Sequence, residues 1–262
     1  MLGSMAETRY DSVPTPNEIL KLAGEVVAAR YPDADSAFVA GSFMRGEGSA
    51  SSDIDLVVLY SSLVQAYRES FIFQNIPVET FVHDPETLSW FLEQDRKDGR
   101  PALIGMLIEG VLIGPRQGTA FNFKKRAVQM FAEGPLPLDA NAIERLRYAI
   151  TDKLDDLEVD RTPAERVAIG AALYPLLVEL ALRGSGRWNG SGKWHARLLK
   201  QMDVSVAQQV ETVFLSLYDG SDTQAVLRLA DNVLEQHGGR LFSGYHSDAP
   251  ADWRSPSICS EP

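Results

Sequence analysis

Two carboxylates stand two residues apart in Asp53-Ile54-Asp55, at the head of the apolar run ending at Tyr60, and a Gly41-Ser42 pair closes the apolar run 36–40 upstream. Side chains at i and i+2 of a strand leave from the same face, so Asp53 and Asp55 can grip the same metal site while Ile54 turns into a core. Mg2+ is a hard cation that takes carboxylate, phosphate and water oxygens. Gly41 lets the backbone approach a phosphate closely, and Ser42 adds a hydroxyl to its N–H. A short helix starting there would add N-terminal donors, and Arg45 carries a planar fork of donors that matches a phosphate. Gly46 and Gly48 allow the loop to turn back toward the second strand. The stretch therefore has the parts to hold a triphosphate, donors on one side and metal-binding acids on the other. An Asp-x-Asp pair alone serves equally as a helix cap or a solvated strand end. The glycine-serine turn, the ten intervening residues and the flanking apolar runs set this pair apart.

Two-metal chemistry needs a third acid, which can also act as general base toward an attacking hydroxyl. Glu79, in "IPVETFVHD" (76–84), is the candidate, because a charge on so apolar a strand is costly unless a metal or partner compensates it. The competing reading is a strand glutamate facing solvent. Asp84 is the second choice, although "HDPET" reads better as a helix entry with Asp84 as its cap, and His83 reads as a packing or surface residue.

The pattern apolar-Gly-Ser, ten residues, then Asp-Ile-Asp and an apolar strand resembles the signature of the polymerase-beta-like nucleotidyltransferase superfamily. The resemblance implies that Gly41 and Ser42 contact a triphosphate and that Asp53 and Asp55 bind Mg2+, with two ions expected and ATP or another NTP as donor. Superfamily members carry an acid on the strand after the Asp-x-Asp strand, a place that Glu79 matches as a metal ligand. Arg45 and Ser52 join Gly41 and Ser42 as candidate nucleotide contacts. In layout the chain is nearest to the bacterial aminoglycoside adenylyltransferases of the streptomycin/spectinomycin type, which have a similar Leu-Glu-Val strand. Their helical domain closes over the nucleotide and carries a helix, a Thr-Gly turn and a Lys. Here Lys193 follows Gly190-Ser191-Gly192 between two helical stretches, with different surroundings. As a point charge it would neutralise the outgoing triphosphate. The segment from Leu182 to Leu199 also reads as a plain helix–helix loop whose tryptophans pack on the bundle.

Positioning these groups requires an α/β frame. Residues 16–30 repeat apolar positions at helical spacing; 36–40, 54–60 and 76–84 read as strands, 85–99 and 102–109 as helices, and 110–114 as a last strand. Beyond Gly118 the pattern is helical at 121–132, 139–160, 163–183, about 193–201, 203–218 and 222–237. The expected architecture is an α/β nucleotidyltransferase domain (12–118), a small mixed sheet flanked by helices, followed by an all-α bundle (119–238) and an unpatterned tail (239–262). The bundle would form the other wall of the site and select the acceptor. Acids at Asp152, Asp155, Asp156 and Glu179 are candidates for recognising a cationic acceptor.

At 262 residues, 45% apolar and 23% charged, the chain has the composition of a soluble globular protein. A net charge of −11 argues against a general nucleic-acid binder, which wants a basic surface. No window has the roughly 18 apolar residues of a membrane span. "MLGSMAET" has neither the basic nor the apolar region of a secretory signal, and the single Cys259 fits a reducing cytoplasm. The expectation is a cytoplasmic Mg2+-dependent nucleotidyltransferase acting on a small-molecule hydroxyl acceptor. Two alternatives stand beside it, a protein-modifying enzyme of the antitoxin type and a non-catalytic nucleotide-binding protein that keeps the fold. Nothing in the sequence specifies an oligomeric state.

Overall fold

A computed structural model describes residues 13–249; the "MLGSMAET" stretch and Cys259 lie outside them. The chain forms two compact units, the described part of Met1–Pro137 with Gly186–Trp194, and Leu138–Ser185 with the described part of His195–Pro262.

The first unit is built on a five-stranded mixed sheet in the order β3-β4-β2-β1-β5. Its strands are β1 (Ser36–Ala40), β2 (Ile54–Leu59), β3 (Tyr67–Phe73), β4 (Ile76–His83) and β5 (Val111–Ile113). Only the β2–β4 pairing is parallel; β1–β2, β1–β5 and β3–β4 are antiparallel. One face packs under α1 (Pro16–Arg30), where Ile19, Ala23 and Val26 meet Val39, Ile54, Leu56 and Val58. Helix α1 begins in a Thr15–Glu18 capping box with Pro16 in its first turn, where a missing N–H costs nothing. The opposite face, through Phe38, Val57 and Leu59, lies under α2 (Pro85–Asp98), α3 (Ala102–Glu109) and α4 (Gly118–Glu133). Strict alternation along β2 thus sends Ile54, Leu56 and Val58 toward α1, and Asp55, Val57 and Leu59 toward α3.

The expected strands and helices of this unit are present, with ends shifted by up to three residues, and β3 is an addition. Its sequence, "YRESFIF", carries three polar residues in a row because it is an edge strand of the sheet, half open to water. Gln74 and Asn75, both at positive φ (48° and 67°), form the two-residue turn that returns the chain to β4. Helix α4 puts Ala120, Phe123, Ala127 and Met130 against Leu103, Ile104 and Leu107 of α3, so the sheet's compact unit extends past residue 118 to Pro137. The glycine-rich segment Gly186–Trp194 packs on the same unit. Trp188 stacks on Phe131 at 5.7 Å and donates its Nε1–H to the Phe131 carbonyl at 3.0 Å, while the Asn189 N–H reaches the Gly99 carbonyl at 2.7 Å.

The second unit is all helical: α5 (Ala140–Leu157), α6 (Pro163–Arg183), α7 (Lys193–Met202, counted here from His195), α8 (Val204–Asp219) and α9 (Thr223–Glu235). Ile150, Leu154, Leu173, Leu177, Phe214, Leu217, Val226 and Ala230 form its core. Three acids of α5 and its C-cap Glu158 are paired: Asp152 with Lys153 (2.7 Å), Asp156 with Arg161 (3.1 Å), and Asp155 and Glu158 with Arg240 (3.4 and 2.6 Å). Arg240 also binds Asp231 of α9 at 2.7 Å, and Arg147 takes the Gly239 carbonyl at 2.8 Å. The segment from Gly238 to Leu241, patternless by sequence, is therefore tied to α5 and α9 by charge. Glu179 lines a cavity of about 280 Å³ with Arg145, Leu146 and Leu176. Among the described residues, no helix is long and apolar enough to cross a membrane.

The start of α3 has no capping side chain of its own; Asp95 of α2 serves instead, accepting the Ile104 N–H at 2.9 Å. Burial pushes the Asp95 carboxyl up to about 7, against the opposing pull of the Ile104 and Leu103 N–H groups. The folded chain therefore keeps a proton that the unfolded chain, near 3.8, has lost, and this group's contribution to stability falls as pH rises from 4 through 7. Asp95→Asn, which keeps the acceptor oxygen, should be more stable than the parent at pH 8 by on the order of 1–3 kcal/mol, with the difference closing near pH 4. Urea denaturation at the two pH values measures it.

Candidate active site

The site begins with register. Asp55 pairs with Ala40 of β1 on one side and with Glu79 of β4 on the other, so the parallel β2–β4 ladder sets two acids directly side by side. Asp53 precedes β2 by one residue and shares their face of the sheet. One carboxylate oxygen from each of Asp53, Asp55 and Glu79 lies within 4.8 Å of the others. Asp53 is exposed and the other two are half-buried. The Asp55 carboxyl is pushed up to about 7, first by burial and then by the charges of Asp53 and Glu79, with Arg45 pulling the other way. Three hard oxygen donors crowded together, one of them reluctant to ionise beside the others, form a donor set that fits Mg2+.

Glu79 is not an uncompensated charge on an apolar strand. Arg68 of β3 pairs with it at 2.5 Å and the Ser70 hydroxyl donates to it at 3.2 Å, while the Arg68 guanidinium lies over the Phe81 ring at 4.9 Å. Both partners come from the strand that sequence reasoning did not place, and the aromatic-rich "YRESFIF" followed by Gln-Asn was the signal for it. Asp84 is the N-cap of α2, accepting the Thr87 N–H at 2.9 Å and the Leu63 N–H at 3.0 Å. His83 is buried edge-on to Phe91, and burial holds its imidazole down at about 4, neutral near pH 7.

The loop after β1 faces the acids. Gly41 has φ +89°, and a Cβ there would collide with Asp55 Oδ2, so this position needs glycine for both conformation and space. The Ser42 hydroxyl donates to Ser52 Oγ at 2.9 Å, and Ser52 Oγ also accepts the Ser49 N–H at 3.0 Å. The two serines proposed as nucleotide contacts thus close the two ends of one loop. Arg45 is four-fifths buried, bonded to Glu109 at 2.6 Å and Glu47 at 3.2 Å, with its guanidinium 5.2 Å from the centre of the Trp194 ring. Lys193 is exposed and precedes that tryptophan in the chain. Glu109, at the end of α3, also accepts the Gly41 N–H at 3.1 Å. Its place at this site had no signal in the sequence, since it lies beyond the motif and arrives through the packing of α3.

Residues 20–98 match the family model of the nucleotidyltransferase domain, a span that holds Gly41, Ser42, Arg45, Ser52, Asp53, Asp55 and Glu79. The match supports a nucleotidyltransferase domain in the first unit, with nucleotide transfer as its chemistry and an NTP as substrate. Among solved structures, a nucleotidyltransferase-like protein from Exiguobacterium sibiricum 255-15 is 13% identical, with 85% of this chain and 77% of that chain covered and a TM-score of 0.41. No curated protein matched the sequence.

Gly41→Ala tests the crowding directly. The new methyl must displace the Asp55 carboxylate or the loop, so metal-dependent nucleotide binding, followed by calorimetry, should weaken by more than about tenfold, and the left-handed backbone should cost about 1–3 kcal/mol in stability.

Proposed function

We propose that the chain is a Mg2+-dependent nucleotidyltransferase that moves a nucleoside monophosphate, AMP from ATP, onto a hydroxyl of a small-molecule acceptor of the aminoglycoside kind, with release of pyrophosphate. The observation that carries the reading is the Asp53–Asp55–Glu79 triad standing opposite the Gly41-Ser42 turn. The three acids would hold the metal, which when bound supplies charge neutralisation of the triphosphate and polarisation of the α-phosphate.

The chain's own groups do the rest. The Gly41 and Ser42 backbone, the Ser42 and Ser52 hydroxyls and Arg45 bind and orient the phosphates, so that catalysis is mostly positioning and charge compensation. Glu79, paired with Arg68, accepts the proton of the attacking hydroxyl, which displaces pyrophosphate from the α-phosphorus in line. Lys193 adds a point charge for the leaving pyrophosphate. Acceptor selection falls to the helical unit. The net charge of −11 favours a cationic acceptor, which supports the aminoglycoside class.

Pyrophosphate release, screened over aminoglycosides and other polyhydroxyl compounds with ATP and Mg2+, is the direct test. Asp53→Asn should reduce turnover by at least about a thousandfold, on the order of 4 kcal/mol of transition-state stabilisation. Its melting temperature should stay close to the parent's, because Asp53 is exposed and outside the core. Full turnover by this variant would falsify the metal-ligand assignment.

A further inference from the structure

One oxygen, Glu109 Oε1, takes both the Gly41 N–H (3.1 Å) and an Arg45 N–H (2.6 Å). These are the donors that the nucleotidyltransferase reading assigns to the triphosphate. The carboxylate is a poor occupant of its own position on other grounds. It ends the eight-residue α3, where the helix dipole disfavours negative charge. What holds it there is the pair of donors, one of them a four-fifths buried guanidinium.

We propose that Glu109 is an intramolecular stand-in for phosphate. It occupies the anion cradle formed by Gly41 and Arg45, keeps that loop shaped, and gives both donors up when a triphosphate arrives. The residue is thus an internal competitor that sets nucleotide affinity. The triphosphate identity of the ligand rests on the nucleotidyltransferase reading; the occupied anion cradle does not. Geometry favours exchange over a permanent bridge. Gly41 has a single N–H, already committed to Glu109, so an anion arriving at this turn gains that donor only by displacing the carboxylate. The end of α3 does not depend on Glu109 alone. The Glu109 side chain is partly exposed, and the end of α3 is also held from elsewhere, by Lys124 on the Gly110 carbonyl at 2.8 Å.

Glu109→Gln keeps size and an acceptor oxygen but removes the charge, so the cradle is held more weakly against an incoming anion. Two Mg2+-loaded probes, inorganic tripolyphosphate and α,β-methylene-ATP, are titrated calorimetrically into parent and variant, with melting curves of each form. The expected result is about tenfold tighter binding of both probes by the variant. Its melting temperature should fall without ligand and its ligand-induced rise should be larger. A residue that merely supported the fold would not strengthen binding. Equal or weaker binding of tripolyphosphate by Glu109→Gln overturns the proposal, as does binding of neither probe by either protein. Tighter tripolyphosphate binding with no binding of the nucleotide analogue leaves the cradle assignment standing and removes the nucleotidyltransferase reading instead.

Discussion

Repulsion among three carboxylates is the constraint on which the rest of the first unit depends. Two unit charges within 4.8 Å repel by at least about 3 kcal/mol at an effective dielectric of about 20, and Asp53, Asp55 and Glu79 form three such pairs. Parallel pairing of β2 with β4 makes one of these unavoidable, because the register sets Asp55 beside Glu79. The fold meets the strain differently at each acid. Asp53 faces water, Glu79 is paired with Arg68, and Asp55 is pushed toward a neutral form. The strain is tolerable because all three stand at the mouth of the sheet, outside the packed layers.

Parity along the strands connects this acid cluster to the phosphate loop. Odd-numbered residues of β2 and β4 share the face covered by α3, so Asp55 and Glu79 point the same way as Val57 and Phe81. Helix α3 runs over that face and ends in Glu109, which is how an acid more than fifty residues from Asp55 reaches Gly41 and Arg45. Trp194, arriving from the segment after α6, covers Arg45 from another side. A cation clamped by two carboxylates and an indole is well placed to hold a loop still, and Gly41 supplies the clearance that lets the Asp55 carboxylate lie against it.

Much of this was legible in the residues. The Gly-Ser turn, the Asp-x-Asp spacing and the apolar runs identified β1, β2 and the acids, because strand periodicity and glycine conformation are local properties. Asp84 read correctly as a cap for the same reason: a side chain and an N–H three residues on make a short-range contact. Edge strand β3 was missed, since half-exposed strands dilute the apolar signal, and with it went Arg68 and Ser70, the partners that stabilise Glu79. Arg240 stands in the unpatterned tail, yet it joins Asp155 and Glu158 at the end of α5 to Asp231 of α9. Contacts made by long charged side chains leave no periodic trace.

The sequence by itself determined the chemistry on offer: which side chains could hold a metal or a phosphate, on which runs they sit and on which face of a strand they lie. Only the tertiary structure decided which of them meet. The parallel β2–β4 register, the passage of α3 across the sheet and the docking of Gly186–Trp194 on the first unit bring together Glu79 with Asp55, Glu109 with Gly41, and Trp194 with Arg45. Each pair is far apart in the chain, and its closeness follows from burying apolar faces elsewhere, at Leu103, Ile104 and Trp188, rather than from any property of the site residues themselves.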